Sequence, residues 1–201
     1  MAGKNAKARA QRERRQEAAR RKHDAQEILA GVGLDLDDDL VGIGVVFEHL
    51  GPSQAVFFGV NAINELCRNV VGVDVALFVE QQMRPSVVPS CPVFGVEQMA
   101  SWKKPLIVTS TTTCLAALET EAPMVAHYVL HPDTGVPDFA DRTDLSIEEV
   151  RRAFCDPKVR VFVRAKDYVA LLRDEFGIEA HLVPDFRIAE MLKVVLPEVR
   201  R

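Results

Sequence analysis

The sequence has few of the features that announce a function. No run of about 18 uncharged apolar residues occurs, so no membrane span is expected. The N-terminus is basic but lacks the apolar stretch of a secretory signal. Residues 1–24 contain no Ser, and Glu13 and Glu17 interrupt their bases, which argues against a mitochondrial presequence. GxGxxG and GxxxxGKS/T are both absent, so the standard dinucleotide and P-loop readings lose support. The four cysteines (Cys67, Cys91, Cys114, Cys155) form no CxxC pair and have no His at ligand spacing. They read as small buried hydrophobes in a reducing compartment, and neither a structural zinc site nor a disulfide framework is expected. Aromatics are sparse, and nothing alternates aromatic with basic residues in the way of an RNA-binding sheet.

What is present is unevenly distributed charge. Residues 1–24 carry nine bases against three acids, a net of +6. The total over 201 residues is -4, so the remaining 177 residues carry -10. Three parts follow: a basic arm over residues 1–30, an acidic linker over 31–40 with Asp35, Asp37, Asp38 and Asp39, and a body over 41–201. The arm is rich in Ala, Arg, Gln and Glu and supports the helical pairs Arg9–Glu13 and Glu17–Arg21. It has almost no apolar stripe, so it is expected to be frayed or disordered until a partner orders it. Arg9, Arg12, Arg14, Arg15, Arg20, Arg21 and Lys22 are its candidate contacts to nucleic acid, an acidic protein surface or an RNA-rich assembly. A flexible solubilising tail is the plain alternative, and folding back onto Asp35–Asp39 is a third.

The body alternates short β-branched runs with helical stretches. The runs are 41–47, 73–79, 105–109, 124–130, 159–163 and 180–184. Helical patterns fill 53–68, 94–102, 111–121, 146–155, 166–176 and 186–195. Continuous apolar strands separated by helices predict a doubly wound, mostly parallel α/β sheet of about six strands, Rossmann-like.

Ligands of such sheets sit beyond the C-terminal strand ends. The first strand runs into Glu48-His49-Leu50-Gly51-Pro52-Ser53-Gln54. Gly lets backbone approach a ligand, and Pro suits the first helical turn, whose amides can face an anion. Capping of the helix by Ser53 is the competing reading. The hydroxyl run Thr109-Ser110-Thr111-Thr112-Thr113 can likewise cap a helix or hold phosphate oxygens. Arg164 offers a planar fork and Lys166 a point charge for phosphate, unless they are a solvated pair near Asp167 and Asp174. His49 beside Glu48 suits a general base or a hydroxyl contact, and His131 with Asp133 repeats the pattern on the fourth strand's exit. His127, inside an apolar run, reads as a satisfied core residue. Phe57, Phe58, Phe94, Phe162 and Phe176 read as core, and Trp102 as a helix-end packing residue. No metal site is expected.

Residues 159–186 (VRVFVRAKDYVALLRDEFGIEAHLVPDF) resemble the closing segment of the N-terminal half of a GT-B glycosyltransferase, with Ala165 where Ser is frequent. Residues 41–66 (VGIGVVFEHLGPSQAVFFGVNAINEL) resemble that fold's first strand, loop and long helix, and EHLGPSQ is similar to small glycosyltransferase-like proteins of tailed bacteriophages. The resemblance covers about 60 of the roughly 160 body residues. It implies a pocket over the first, third and fifth runs. There Gly51, Ser53 and Gln54 would cradle an acceptor or phosphate, assisted by Thr109, Ser110 and Thr111. Arg164 and Lys166 would neutralise charge, and His49 or Glu48 would act as base. A nucleotide sugar would be the cosubstrate. The second domain that binds it in GT-B enzymes, with its paired glutamates and Gly-rich loop, has no counterpart in these 201 residues, and no DxD stands at a strand end. A non-catalytic scaffold or interaction protein, working with a protein partner or as a homo-oligomer, is therefore the first expectation. A transferase completed by a second domain or subunit is the alternative. The expected location is cytoplasmic, or a virion if the chain is phage-encoded.

Overall fold

The computed structural model describes residues 41–69, 73–81, 83–130 and 145–199. The basic arm, the acidic linker, His131 and Asp133 lie outside the described residues. Seven strands form one sheet: β1 (Val41–His49), β2 (Val73–Gln81), β3 (Val93–Gly95), β4 (Leu106–Val108), β5 (Val125–Val129), β6 (Val159–Val163) and β7 (His181–Leu182). Among the described residues, four α-helices lie between strands, α1 (Gln54–Asn69), α2 (Thr111–Leu118), α3 (Ile147–Cys155) and α4 (Lys166–Phe176), and α5 (Ile188–Val199) follows β7. A 3-10 helix, Val96–Ser101, precedes β4.

The strand order is β3-β2-β1-β4-β5-β6-β7, and every neighbouring pair is parallel. The chain therefore winds outward from β1 to β3, returns to lie beside β1 as β4, and winds outward again. This is the Rossmann-like doubly wound fold. Its direction of winding reverses between β1 and β4, which is where such sheets open a crevice.

Strand alternation divides the apolar side chains between two layers. Ile43, Val45 and Phe47 of β1, Tyr128 of β5 and Phe162 of β6 pack with α1 and α5. Val46, Leu106, Val108, Val125 and Val161 pack with α2, α3, α4 and the 3-10 helix. Residue 59 has to be Gly, because a Cβ there would run into the Phe47 ring and lift α1 off the sheet. Gly177 ends α4 in the left-handed region, at φ 67°.

The structure departs from the sequence expectations in four places. Among the described residues there are seven strands, because β3 occupies Val93–Gly95 where a helical stretch is expected from residue 94. Three residues after Pro92 show no readable period, and β3 is defined only by pairing with Leu77–Val79 of β2. Phe57 is 55% exposed, one position off the buried stripe of Val56, Gly59, Val60 and Ile63 on α1. Phe94, on the edge strand, is 36% exposed although its ring lies 5.9 Å from that of Phe78. Cys155 is exposed, whereas Cys114 is buried and Cys67 and Cys91 are half-buried. His127 is a core residue. Its Nδ1 is 3.1 Å from the Ala153 carbonyl, and its ring packs on Phe154.

Candidate functional site at the β1–β4 crossover

The last paired residues of β1 and β4 are Val46 and Val108. Thr109 then donates its hydroxyl to the Val46 carbonyl at 3.2 Å and closes the seam. Beyond that point β1 runs on to Glu48 and His49, while β4 turns into α2. Their diverging ends bring polar side chains to the edge where doubly wound sheets take up ligands.

On the α2 side, the hydroxyl run caps α2 and reaches across to β1. Ser110 caps α2, accepting from the Thr113 amide at 3.2 Å, and the Thr113 hydroxyl lies 3.1 Å from the Ser110 amide in a reciprocal capping box. Thr112 donates its hydroxyl to Glu48 Oε1 at 2.8 Å. Glu48 therefore rests against the second residue of α2, where the helix dipole favours negative charge. The protein's own carboxylate lies in the place a phosphate would seek, so an anion there would have to displace or repel it. Thr111 is buried.

On the α1 side, Ser53 caps α1. Its Oγ accepts from the Val56 amide at 3.1 Å, and its carbonyl accepts from the Phe57 amide at 3.0 Å. The segment 83–92 crosses in front of the β1 exit. The Ser86 amide donates to the Leu50 carbonyl at 2.9 Å, and the Ser86 hydroxyl lies 3.4 Å from the Gly51 carbonyl. A side chain at Gly51 would press on Met83 and on His49 Nδ1. His49 Nδ1 is buried and has no hydrogen-bond partner among the described residues. Gln54 opens α1 and is exposed.

Arg164 takes a different direction. Its guanidinium lies 4.8 Å from the centre of the Phe58 ring on α1, a cation–π contact. Beneath it, the Tyr128 hydroxyl donates to the Val183 carbonyl at 2.8 Å and accepts from the Phe186 amide at 3.1 Å. Burial raises the Tyr128 pKa, and Arg164 offsets part of that rise. Tyr128 thereby holds the turn Pro184–Phe186, in which Asp185 and Phe186 take φ of 57° and 54°. Consecutive left-handed residues other than Gly are costly and persist only where packing imposes them. Here the Phe186 ring is clamped between Phe47 and Tyr128. Lys166 is exposed at the start of α4.

The crossover thus brings Glu48, Thr109, Ser110 and Thr111 together, and His49 with Gly51. It separates Glu48 from Arg164, because the pleat turns Glu48 toward α2 while Arg164 faces α1. Sequence reasoning missed one participant, Ser86, and one pairing, Thr112 with Glu48. Thr112 stands in the hydroxyl run, but its partner Glu48 becomes known only once β1 and β4 lie side by side. Ser86 carried no local signal, although the prolines at 85, 89 and 92 mark an irregular, constrained segment.

Among the described residues, no cluster of His, Cys, Asp and Glu could hold a metal ion. Nor is any helix among them long and apolar enough to cross a membrane. No protein-family model matches the sequence, and comparison with curated proteins returns no match.

Proposed function

We propose that this chain is a glycosyltransferase-like α/β domain that holds a small hydroxyl-rich ligand at the β1–β4 crossover and acts as a scaffold in an assembly. The observation that carries this reading is the Glu48–Thr112 hydrogen bond at the C-terminal end of β1. A carboxylate has about four acceptor positions, and one threonine engages only one of them. The remaining positions suit the hydroxyls of a sugar, free or within a nucleotide sugar. A free phosphate suits them poorly, because Arg164 is held against Phe58 on the other face. Catalysis of sugar transfer, with Glu48 or His49 as base, would require a second domain or subunit to supply the nucleotide side of the cleft.

The test is a thermal-shift screen of the full chain against monosaccharides, nucleotide sugars and free nucleotides. A ligand at 100 times its Kd stabilises by about 2.7 kcal/mol, which raises Tm by several degrees. The expected result is a shift with a sugar or nucleotide sugar that disappears in Glu48→Ala. No shift with any of the three classes overturns the reading.

The arm carries a second role. Its net +6, on a chain whose remainder is -10, suits a polyanionic partner. Binding through about six phosphates should weaken by roughly 10³-fold between 50 and 200 mM salt. A chain lacking residues 1–24 should lose both the binding and its salt dependence. Equal nucleic-acid binding by the truncated chain would refute this role.

A further inference from the structure

We propose that Cys67 and Cys91 form a redox-sensitive pair whose disulfide staples the segment 83–92 to α1. Three observations place the thiols together. Asn64, one turn before Cys67 on α1, donates to the Val88 carbonyl at 2.9 Å and accepts from the Ser90 amide at 2.6 Å, and Cys91 follows Ser90 directly. Both cysteines pack against the same core cluster, as does Val87. Both also feel the Asp74 carboxylate on β2, and Cys91 feels Cys67 itself. The other two cysteines are elsewhere: Cys114 is buried beside Ala153, and Cys155 lies near Phe176.

The staple would act on the crossover. Segment 83–92 is the one whose Ser86 bonds the Leu50 and Gly51 carbonyls at the β1 exit. Fixing its far end to α1 therefore fixes the segment that Ser86 holds against the β1 exit next to His49.

The oxidant is a small-molecule disulfide. One protein thiolate attacks it, breaks its S–S bond and releases one thiolate, which takes up a proton. The second protein thiolate attacks the mixed disulfide and releases the other small thiol. Two protein thiols are oxidised, and one disulfide is reduced to two thiols. Burial pushes both protein thiols up, Cys91 to about 12, so the reaction is slow at neutral pH. Its rate should rise about 100-fold from pH 7 to pH 9, following the thiolate fraction.

The experiment incubates the folded full chain with oxidised glutathione at pH 7 and pH 9, quenches with acid and maps the peptides by mass. The expected product is a Cys67–Cys91 cross-link that dithiothreitol reverses. It should raise Tm by roughly 5–10 °C and slow hydrogen exchange at the Ser86 and Ser90 amides. Cys91→Ser should lose the Tm rise, and Cys155→Ser should keep it. Peptide mapping of the unaltered chain decides the matter even if Cys91→Ser fails to fold. Glutathione left on each cysteine without a cross-link, a cross-link through Cys155, or no reaction at pH 9 overturns the proposal.

Discussion

The two faces of the sheet have similar apolar cores but end in different polar chemistry. Under α1 and α5, Phe186 stacks on Phe47 and meets Tyr128 edge-on, and a glycine at 59 admits the helix. At the C-terminal edge of this face stand His49 and Arg164. The face under α2, α3 and α4 carries its own aromatics, Phe78, Phe154 and Tyr168, and it also buries an imidazole, His127, against Phe154. At its C-terminal edge stand Glu48 and the hydroxyl run. A one-residue step along β1, from Glu48 to His49, moves from carboxylate-and-hydroxyl chemistry to imidazole-and-aromatic chemistry. Residues adjacent in sequence at a strand end therefore need not share a site.

The largest expected effect tests the face under α1 and α5. Phe186→Ala should cost about 3–5 kcal/mol in chemical denaturation, since it empties the clamp between Phe47 and Tyr128 and leaves the left-handed turn unsupported. A loss below 1 kcal/mol would mean that the turn does not depend on the clamp.

The opposite face should respond to pH instead. Burial lowers the His127 pKa from 6.5 to about 4, while its hydrogen bond to Ala153 opposes the shift. The unfolded chain therefore binds more protons between these values, and stability falls as pH drops through that window. The full loss is about 3 kcal/mol, complete below pH 4 and absent above about 6.5. Denaturation midpoints of wild type and His127→Phe at pH 7 and pH 4.5 would check it. The variant should lack this component, and an equal slope in both would assign it elsewhere.

Tyr128→Phe should cost about 1–3 kcal/mol, because the Val183 carbonyl and Phe186 amide lose a shared buried partner. A neutral result would show that water replaces the hydroxyl. Thr112→Val should cost about 1 kcal/mol or less while weakening sugar binding, separating ligand capture from fold. Arg164→Met should have the smallest effect, about 0.5–1 kcal/mol for an aromatic contact at a half-exposed site. It should leave sugar binding unchanged if the two faces act independently. A matching loss of binding would join them into one site.

Much of the fold was legible in local pattern. The runs at 41–47, 124–130 and 159–163 are too apolar for a one-sided sheet, so helices on both faces follow from burial alone. β3 was not legible, because three residues beside Pro92 owe their strand geometry to β2. Phe57 and Phe94 were misread for a related reason: apolar character does not state which way a helix turns, or that a strand lies at an edge. The candidate site was half legible. Glu48, Thr109 and Ser110 stand at strand ends that any parallel sheet would align. Ser86 reached the site across more than thirty residues of chain, through contacts with no sequence period.

By itself, the sequence determined the charge division, with +6 in the first 24 residues and -10 in the rest, and the βα alternation that makes a parallel sheet. Both are sums over local choices. Tertiary structure alone decided the strand order, and with it that β1 and β4 are neighbours although α1, β2 and β3 intervene. It also decided that Glu48 meets Thr112 while Arg164 meets Phe58. The reason is the pleat: each strand sends alternate residues to opposite faces, and which partners wait there depends on the packing of helices distant in the chain.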